Sequence, residues 1–174
     1  MNEPSDIVVR PPGILTFAGR TYRCALGRSG IVETKTEGDG ATPAGRFPLR
    51  RVFYRADRIA RPETALAVRT LSPTDGWSDD PADPDYNRFV RRPRVPRSEA
   101  LWRDDALYDL VVEIGFNDDP PIAGRGSAIF VHVARPDFGP TEGCVALPVA
   151  DLRAILGRIE PGAAVAISSS PRPA

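Results

Sequence analysis

The chain has 174 residues, which is enough for one domain with a hydrophobic core of its own. Its 23 basic residues equal its 23 acidic residues, so no overall charge draws it toward nucleic acid or an anionic membrane. No apolar run approaches the ~20 residues that a membrane helix needs. We therefore expect a single domain over residues 1–174 with frayed tails at 1–5 and 169–174, no nucleic-acid partner and no integral membrane segment.

Proline and glycine are frequent, at 19 and 15 residues, and they predict short strands and structured loops rather than long helices. One histidine and two cysteines cannot form a Cys/His zinc site and do not indicate a disulfide scaffold. The first residues lack the basic start and apolar stretch of a secretory signal, so a cytoplasmic location stays open. Any thiol or imidazole chemistry must come from Cys24, Cys144 and His132.

The first third of the chain has the pattern of short strands joined by glycine turns. Alternation places Tyr22, Cys24 and Leu26 on one face of a half-buried strand, so Cys24 is interpreted as a small core residue. Residues 37–45, EGDGATPAG, have the composition of a loop with special turn conformations. This loop is either a connector or part of a functional site. The predicted strands cover residues 7–10, 14–17, 20–27, 30–35 and 46–54.

The middle of the chain, residues 71–97, has no regular periodicity and carries two blocks of opposite charge. The blocks either pair with each other and with solvent, or place arginines against a substrate carboxylate. Trp77 and Tyr86 within so long a loop indicate an ordered flap over residues 75–97. The acidic block is Asp75, Asp79, Asp80, Asp83 and Asp85, and the arginine block is Arg88, Arg91, Arg92, Arg94 and Arg97.

The final third is regular again. Two apolar, β-branched runs at residues 108–116 and 128–134 predict buried strands, and residues 163–168 predict a last strand. Between them, residues 148–159 carry apolar side chains at helical spacing, with proline near the start and Pro-Gly at the stop. We therefore predict one helix, with its apolar face made by Leu152, Ile155, Leu156 and Ile159.

Two side chains in this last third can support nucleophilic chemistry. His132 lies within an apolar strand, where it is either a hydrogen-bonded core histidine or a base. Cys144 follows Gly143 on a short turn, where backbone N–H groups can stabilise a thiolate and an oxyanion. Twelve residues separate the two, so a strand, a turn and a return to the sheet can bring them together as a Cys-His pair.

Three motifs together resemble the L,D-transpeptidase catalytic domain of the YkuD type. They are GDGATPAGRFPL at 38–49, GRGSAIFVHVARP at 124–136 and TEGCVALP at 141–148. Members of that family carry a TPTGxF-like loop, a catalytic histidine on a strand, and a Ser/Thr-x-Gly-Cys signature that holds the nucleophile. The residues that match these motifs are Thr42, Pro43, Gly45, Phe47, His132, Thr141, Gly143 and Cys144.

Three departures mark the chain as a divergent branch with a Thr-Glu-Gly-Cys signature. Glu142 stands where the family usually has a second histidine, the spacing from histidine to cysteine is shorter, and Ala146 replaces a polar residue that often follows the nucleophile. The missing substrate contacts are expected from the flap and from nearby side chains. The candidate substrate-binding residues are Arg125, Arg135, Thr141, Glu142 and Tyr86.

The resemblance implies a mainly β fold, a mixed β-sandwich with one substantial helix after the nucleophile turn. It also implies a peptidoglycan cross-linking enzyme in the periplasm or cell envelope, without metal or organic cofactor. In that chemistry Cys144 attacks a tetrapeptide stem and forms a thioester, His132 is the base, and the N–H groups of Gly143 and Cys144 stabilise the oxyanion. The amine of a second stem peptide then resolves the thioester into a cross-link.

Two other functions stay open at this point. A peptidoglycan L,D-carboxypeptidase or amidase would use the same Cys-His pair with water as the acceptor. A non-catalytic envelope-binding domain is disfavoured, because a binding module has no need for both Cys144 and His132. The sequence does not determine the acceptor amine, the export route or the oligomeric state.

Overall fold

A computed structural model describes residues 6–93 and 97–171. The tail predicted at residues 1–5 and Arg94 of the arginine block lie outside the described residues, as do the last three residues of the second tail. The helix is α1 (Val149–Leu156). The strands are β1 (Ile7–Arg10), β2 (Ile14–Phe17), β3 (Arg20–Arg23), β4 (Ile31–Val32), β5 (Thr42–Pro43), β6 (Gly45–Tyr54), β7 (Ala67–Thr70), β8 (Asp75–Ser78), β9 (Phe89–Arg91), β10 (Ser98–Ala100), β11 (Leu110–Ile114), β12 (Phe130–Val133), β13 (Val145–Leu147) and β14 (Ala164–Ile167).

Strand β6 joins the two halves of the main sheet. Its first four residues pair with β14, and its later residues pair with β11 on one side and β7 on the other. The strands follow the order β13-β12-β11-β6-β14-β1-β2-β3. Apolar side chains from both halves meet in one buried cluster. The fold is thus mainly β with mixed sheets of sandwich type, as predicted.

The predicted helix is present as α1 and is shorter at both ends than predicted. Pro148 caps it without a side-chain hydrogen bond, and Leu152, Ile155 and Leu156 are buried in the main core. Ile159, predicted to lie on the same apolar face, is also buried beyond the helix end.

The charged segment between the two regular parts is itself a small sheet, with the order β10-β8-β9. Sequence periodicity missed it because its strands, DGWS, FVR and SEA, are short and show no alternation of apolar and polar residues. The two charge blocks pair in part, through Arg91 with Asp75 and Arg97 with Asp79. Trp77 packs edge to face on Phe130 of β12, with 5.1 Å between the ring centres, and both belong to a second, smaller core.

Cys24 is a core residue, as predicted. It is 4% exposed and lies in the main cluster, with Tyr22 and Leu26 packed beside it. Among the described residues, no helix is both long and apolar enough to cross a membrane.

Candidate active site

Adjacent strands bring His132 and Cys144 to one face of the sheet. Strands β12 and β13 are parallel, with Val131 opposite Val145 and His132 opposite Ala146. The valines face the main core, so strand alternation turns His132 and Cys144 to the other face. Both line a cavity of about 330 Å³. The structure therefore places in one cavity the two side chains that the sequence singled out, although no hydrogen bond joins these two described residues.

Gly143 is required by the close packing of the turn before Cys144. Its φ is +143°, and a Cβ there would lie 2.7 Å from the carbonyl oxygen of Ala41 and 3.0 Å from Ile129 Cδ1. Only glycine adopts this conformation at low cost in so little space. The EGDGATPAG loop, which supplies Ala41, thus lies directly against the nucleophile turn.

Backbone hydrogen bonds also join the turn to residues 24–28. The N–H of Ala25 donates to Ala146 O at 2.8 Å, and the N–H of Thr141 donates to Leu26 O at 2.9 Å. The Thr141 hydroxyl donates to Cys144 O at 2.6 Å and accepts the N–H of Gly143 at 3.1 Å. The Gly143 N–H can therefore donate to an oxyanion only after its hydrogen bond to the Thr141 hydroxyl breaks.

The Cys144 sulfur lies in a hydrogen-bonded and desolvated position. It accepts the N–H of Phe130 at 3.3 Å, and its S–H donates to Ala128 O at 3.2 Å. Burial raises the pKa of the thiol to about 12, and the nearby Glu99 adds to the increase. The sequence indicated a sulfur beside the helix start, but β13 separates Cys144 from α1, so the sulfur's backbone donor comes from β12 instead.

The His132 side chain is oriented by the backbone. Its Nδ1 lies 2.9 Å from the carbonyl oxygen of Val133. Because a carbonyl only accepts, Nδ1 carries the hydrogen, and Nε2 of the neutral ring keeps a lone pair. Burial lowers the pKa of the imidazole to about 4, and Tyr108 packs edge to face on the ring at 5.1 Å. The resting pair at neutral pH is thus a neutral imidazole and a neutral thiol.

The EGDGATPAG loop is built around Asp39 and Thr42. The Asp39 carboxylate accepts the N–H of Ala41 at 2.8 Å and pairs with Lys35 at 2.6 Å. The Thr42 hydroxyl accepts the N–H of Gly27 at 2.8 Å. Residues 37–38 of the loop line the cavity, so the loop does more than connect two strands.

The described part of the predicted flap, residues 75–93 and 97, is anchored beside the cavity. Asn87 accepts the N–H groups of Trp77 Nε1 and of Ala128 through its side-chain oxygen, at 2.8 and 3.1 Å. Tyr86 donates its hydroxyl hydrogen to Glu37 and accepts the N–H of Gly126 at 3.0 Å. The small sheet therefore forms one wall of the cavity, to which it contributes Asp79 and Glu99.

The candidate substrate-binding residues fall into two groups. Arg135, Thr141 and Glu142 line the cavity, whereas Tyr86 and Arg125 are not among its lining residues. Tyr86 is buried behind the wall, and Arg125 is exposed on the preceding loop. Glu142 forms an exposed ion pair with Arg28 at 3.0 Å.

Sequence reasoning missed several polar residues of the cavity. They come from three separate segments, so no spacing connects them. The available signals were that Lys35 is the single lysine of the chain, and that Glu37 and Ser127 lie within the motifs at 37–45 and 124–136. Arg103 forms two hydrogen bonds to Asp105, at 2.8 and 2.6 Å, and its guanidinium lies 5.2 Å from the Tyr108 ring centre. The missed lining residues are Lys35, Glu37, Glu99, Arg103, Tyr108 and Ser127.

Comparison with known proteins adds a family to this geometry. Residues 15–167 match the family described as YkuD, L,D-transpeptidase catalytic domain. No curated protein sequence matches the chain. Two solved structures of the helical cell shape determining protein Pgp2 from Campylobacter jejuni, one of them of a mutant, are 13% identical with TM-scores of 0.47. The alignments cover 95% of this chain but 48% and 47% of those chains, so the chain spans about half their length.

Proposed function

Since the chain belongs to the YkuD family of L,D-transpeptidase catalytic domains, we propose that it cross-links peptidoglycan through a thioester on Cys144. This proposal is supported chiefly by the position of Cys144 and His132 in one cavity, with His132 on β12 and Cys144 directly before the neighbouring parallel strand β13. Peptidoglycan lies in the cell envelope, so we place the reaction there. The donor is a tetrapeptide stem and the acceptor is the amine of a second stem.

The first half-reaction starts from a neutral pair. Because the pKa of the thiol is about 12 and that of the imidazole about 4, proton transfer from sulfur to nitrogen is unfavourable before substrate binds. The S–H therefore leaves Ala128 O and turns toward His132 Nε2 as the sulfur attacks. The C–N bond to the terminal D-Ala breaks, and its amine takes the proton from His132.

The oxyanion of the tetrahedral intermediate needs backbone donors at the turn. The N–H groups of Cys144 and Gly143 are the proposed donors, the second after its release from Thr141. In the second half-reaction an amine attacks the thioester carbonyl, the C–S bond breaks and the Cys144 thiol is restored. Attack by water at the same step would give a carboxypeptidase product.

Mass spectrometry of the protein incubated with a tetrapeptide muropeptide tests this proposal. We expect loss of D-Ala and a thioester adduct on the wild-type protein, and neither on Cys144→Ala. Cys24→Ala is the matched control, because Cys24 is the other buried thiol and lies in the main core. It should keep the activity and lose roughly 1 kcal/mol of stability through the removed sulfur.

The product distribution separates the two uses of the same thioester. A cross-linked dimer supports transfer, and a tripeptide alone supports the carboxypeptidase. Equal loss of activity in Cys144→Ala and Cys24→Ala, with both proteins folded, would contradict the assignment of the nucleophile.

A further inference from the structure

Glu99 is a cavity carboxylate that the chemistry above does not use. It lies in β10, on the wall of the cavity that holds Cys144 and His132. Its Oε1 accepts the Tyr108 hydroxyl at 2.5 Å. Burial raises the pKa of Tyr108 well above its ordinary value, so this partner is a neutral phenol. Within the described part of the chain, no cation forms a salt bridge with Glu99.

The other carboxylates of the cavity wall are more fully compensated. Glu37 accepts hydrogen bonds from the hydroxyls of both Tyr86 and Ser127. Asp79 and Glu142 have cationic partners, in the pairs Asp79–Arg97 and Glu142–Arg28. Glu99 is therefore the wall carboxylate that is best placed to receive a positive charge from a ligand.

Burial and the charged neighbours of Glu99 make it a stronger proton acceptor than an exposed carboxylate. Burial raises the pKa of its carboxyl, and Asp79 and Glu37 raise it further, whereas Tyr108 and Arg103 lower it. Its charge in turn raises the pKa of the Cys144 thiol, so the carboxylate lies within electrostatic range of the sulfur. A carboxylate of raised pKa takes up and releases a proton closer to neutral pH than an exposed one does.

The second half-reaction needs such a group because of its proton balance. A stem-peptide amine of ordinary basicity has a pKa of about 10.4 and reaches the cavity as an ammonium ion with three hydrogens. The amide that it forms carries one hydrogen on nitrogen. Of the two protons lost, one returns to the Cys144 sulfur through His132, and the other needs a second acceptor.

We propose that Glu99 is this second acceptor, which binds the acceptor ammonium and takes its first proton. The neutral amine then attacks the thioester carbonyl, the C–S bond breaks, and the second proton passes through His132 to the thiolate. Glu99 afterwards releases its proton to solvent. This role rests on the proposed function. It sets the ratio at which the thioester is consumed by the acceptor amine rather than by water.

The test compares the wild-type protein with Glu99→Gln, using a tetrapeptide muropeptide as donor and a tripeptide muropeptide as acceptor. We expect Glu99→Gln to form the thioester and to hydrolyse it, with transfer to the tripeptide reduced about 100-fold. Glu113→Gln is the matched control, because burial also raises the pKa of Glu113, which pairs with Arg51 and does not line the cavity. It should leave the ratio of transfer to hydrolysis unchanged.

Hydroxylamine supplies a readout that a merely structural role would not change. It is already neutral at pH 7.5 and needs no first deprotonation, so it should aminolyse the thioester of Glu99→Gln nearly as fast as that of the wild-type protein. An equal defect with hydroxylamine and with the tripeptide would overturn the proposal.

Tyr108→Phe provides a second test that does not depend on the folding of Glu99→Gln. Loss of the phenol hydrogen bond raises the pKa of Glu99, so the pH at which the ratio of transfer to thioester formation reaches half its maximum should move upward. An unmoved transfer profile would overturn the role of Glu99. Absence of any thioester on the wild-type protein would overturn the proposed function as well, whereas normal transfer by Glu99→Gln would overturn this inference alone.

Discussion

At the scale of single residues, the two thiols differ in their neighbours rather than in their acidity. Burial raises the pKa of both Cys24 and Cys144 to about 12. Cys24 packs among apolar side chains of the main core, whereas Cys144 shares a cavity with His132. A thiol of high pKa reacts only where a base can take its proton during attack. A cavity shared with His132 therefore distinguishes the proposed nucleophile.

His132 should make the stability of the protein depend on pH. Burial lowers its pKa from 6.5 to about 4, so the unfolded chain binds this proton before the folded protein does as the pH falls. The contribution of this group is complete above pH 6.5 and is lost between pH 6.5 and 4. The loss amounts to roughly 3 kcal/mol, at about 1.4 kcal/mol for each pKa unit.

Urea unfolding at pH 7 and pH 4.5 measures this dependence, and His132→Gln supplies the comparison. The raised pKa values of Glu99 and Glu113 act in the opposite direction, toward lower stability as the pH rises, and they are common to both proteins. The wild-type protein should lose more stability than His132→Gln on acidification. Equal losses would mean that folding does not lower the pKa of the imidazole.

At the scale of elements, the site depends on packing between segments that are distant in sequence. The Cys144 turn is enclosed by residues 24–28, by the EGDGATPAG loop and by β12. Loop residues of this kind are positioned by the strands on either side of them. A change at a point of closest approach should therefore disturb both segments that meet there.

Gly143→Ala tests this contact. The new Cβ would meet Ala41 O at 2.7 Å, in addition to the strain of a positive φ. Gly124→Ala is the matched control, since its φ is +79° and nothing lies within 4 Å of the added Cβ. Strain alone should cost Gly124→Ala about 1 to 2 kcal/mol. Gly143→Ala should cost more and lose most of the thioester formation.

Denaturant midpoints and thioester yields of the two glycine variants give the comparison. Similar midpoints and full activity in Gly143→Ala would show that the loop and the turn move apart easily. The close contact would then not be needed to position Cys144.

The sequence predicted the elements that have clear local patterns. The apolar strands around His132, the helix with buried Leu152 and the core position of Cys24 all follow from periodicity and were confirmed. The small sheet was missed, because three-residue strands such as β10 carry no readable period. The cavity position of Glu99 could not be predicted either, since it depends on the docking of that sheet.

At the scale of the whole molecule, the 23 basic residues are matched by 23 acidic ones, and many arginines form salt bridges with aspartate or glutamate. Ion pairs of this kind join Arg46 to Asp6, Arg50 to Asp118 and Arg58 to Asp109. Arg135 is exposed, lines the cavity, and has no salt bridge among the residues that the structure describes. Its guanidinium is therefore available to a carboxylate of the substrate.

Arg135→Ala should lower kcat/KM for a tetrapeptide donor by about 10- to 100-fold, as expected for the loss of one charged hydrogen bond. Arg125→Ala is the matched control, because Arg125 is also an exposed arginine but does not line the cavity. It should leave kcat/KM unchanged. Kinetics of D-Ala release from the two variants make the comparison at constant ionic strength, since both lose one positive charge. An equal decrease in both would point to general attraction of the anionic donor, and no decrease in either would require another group to bind its carboxylates.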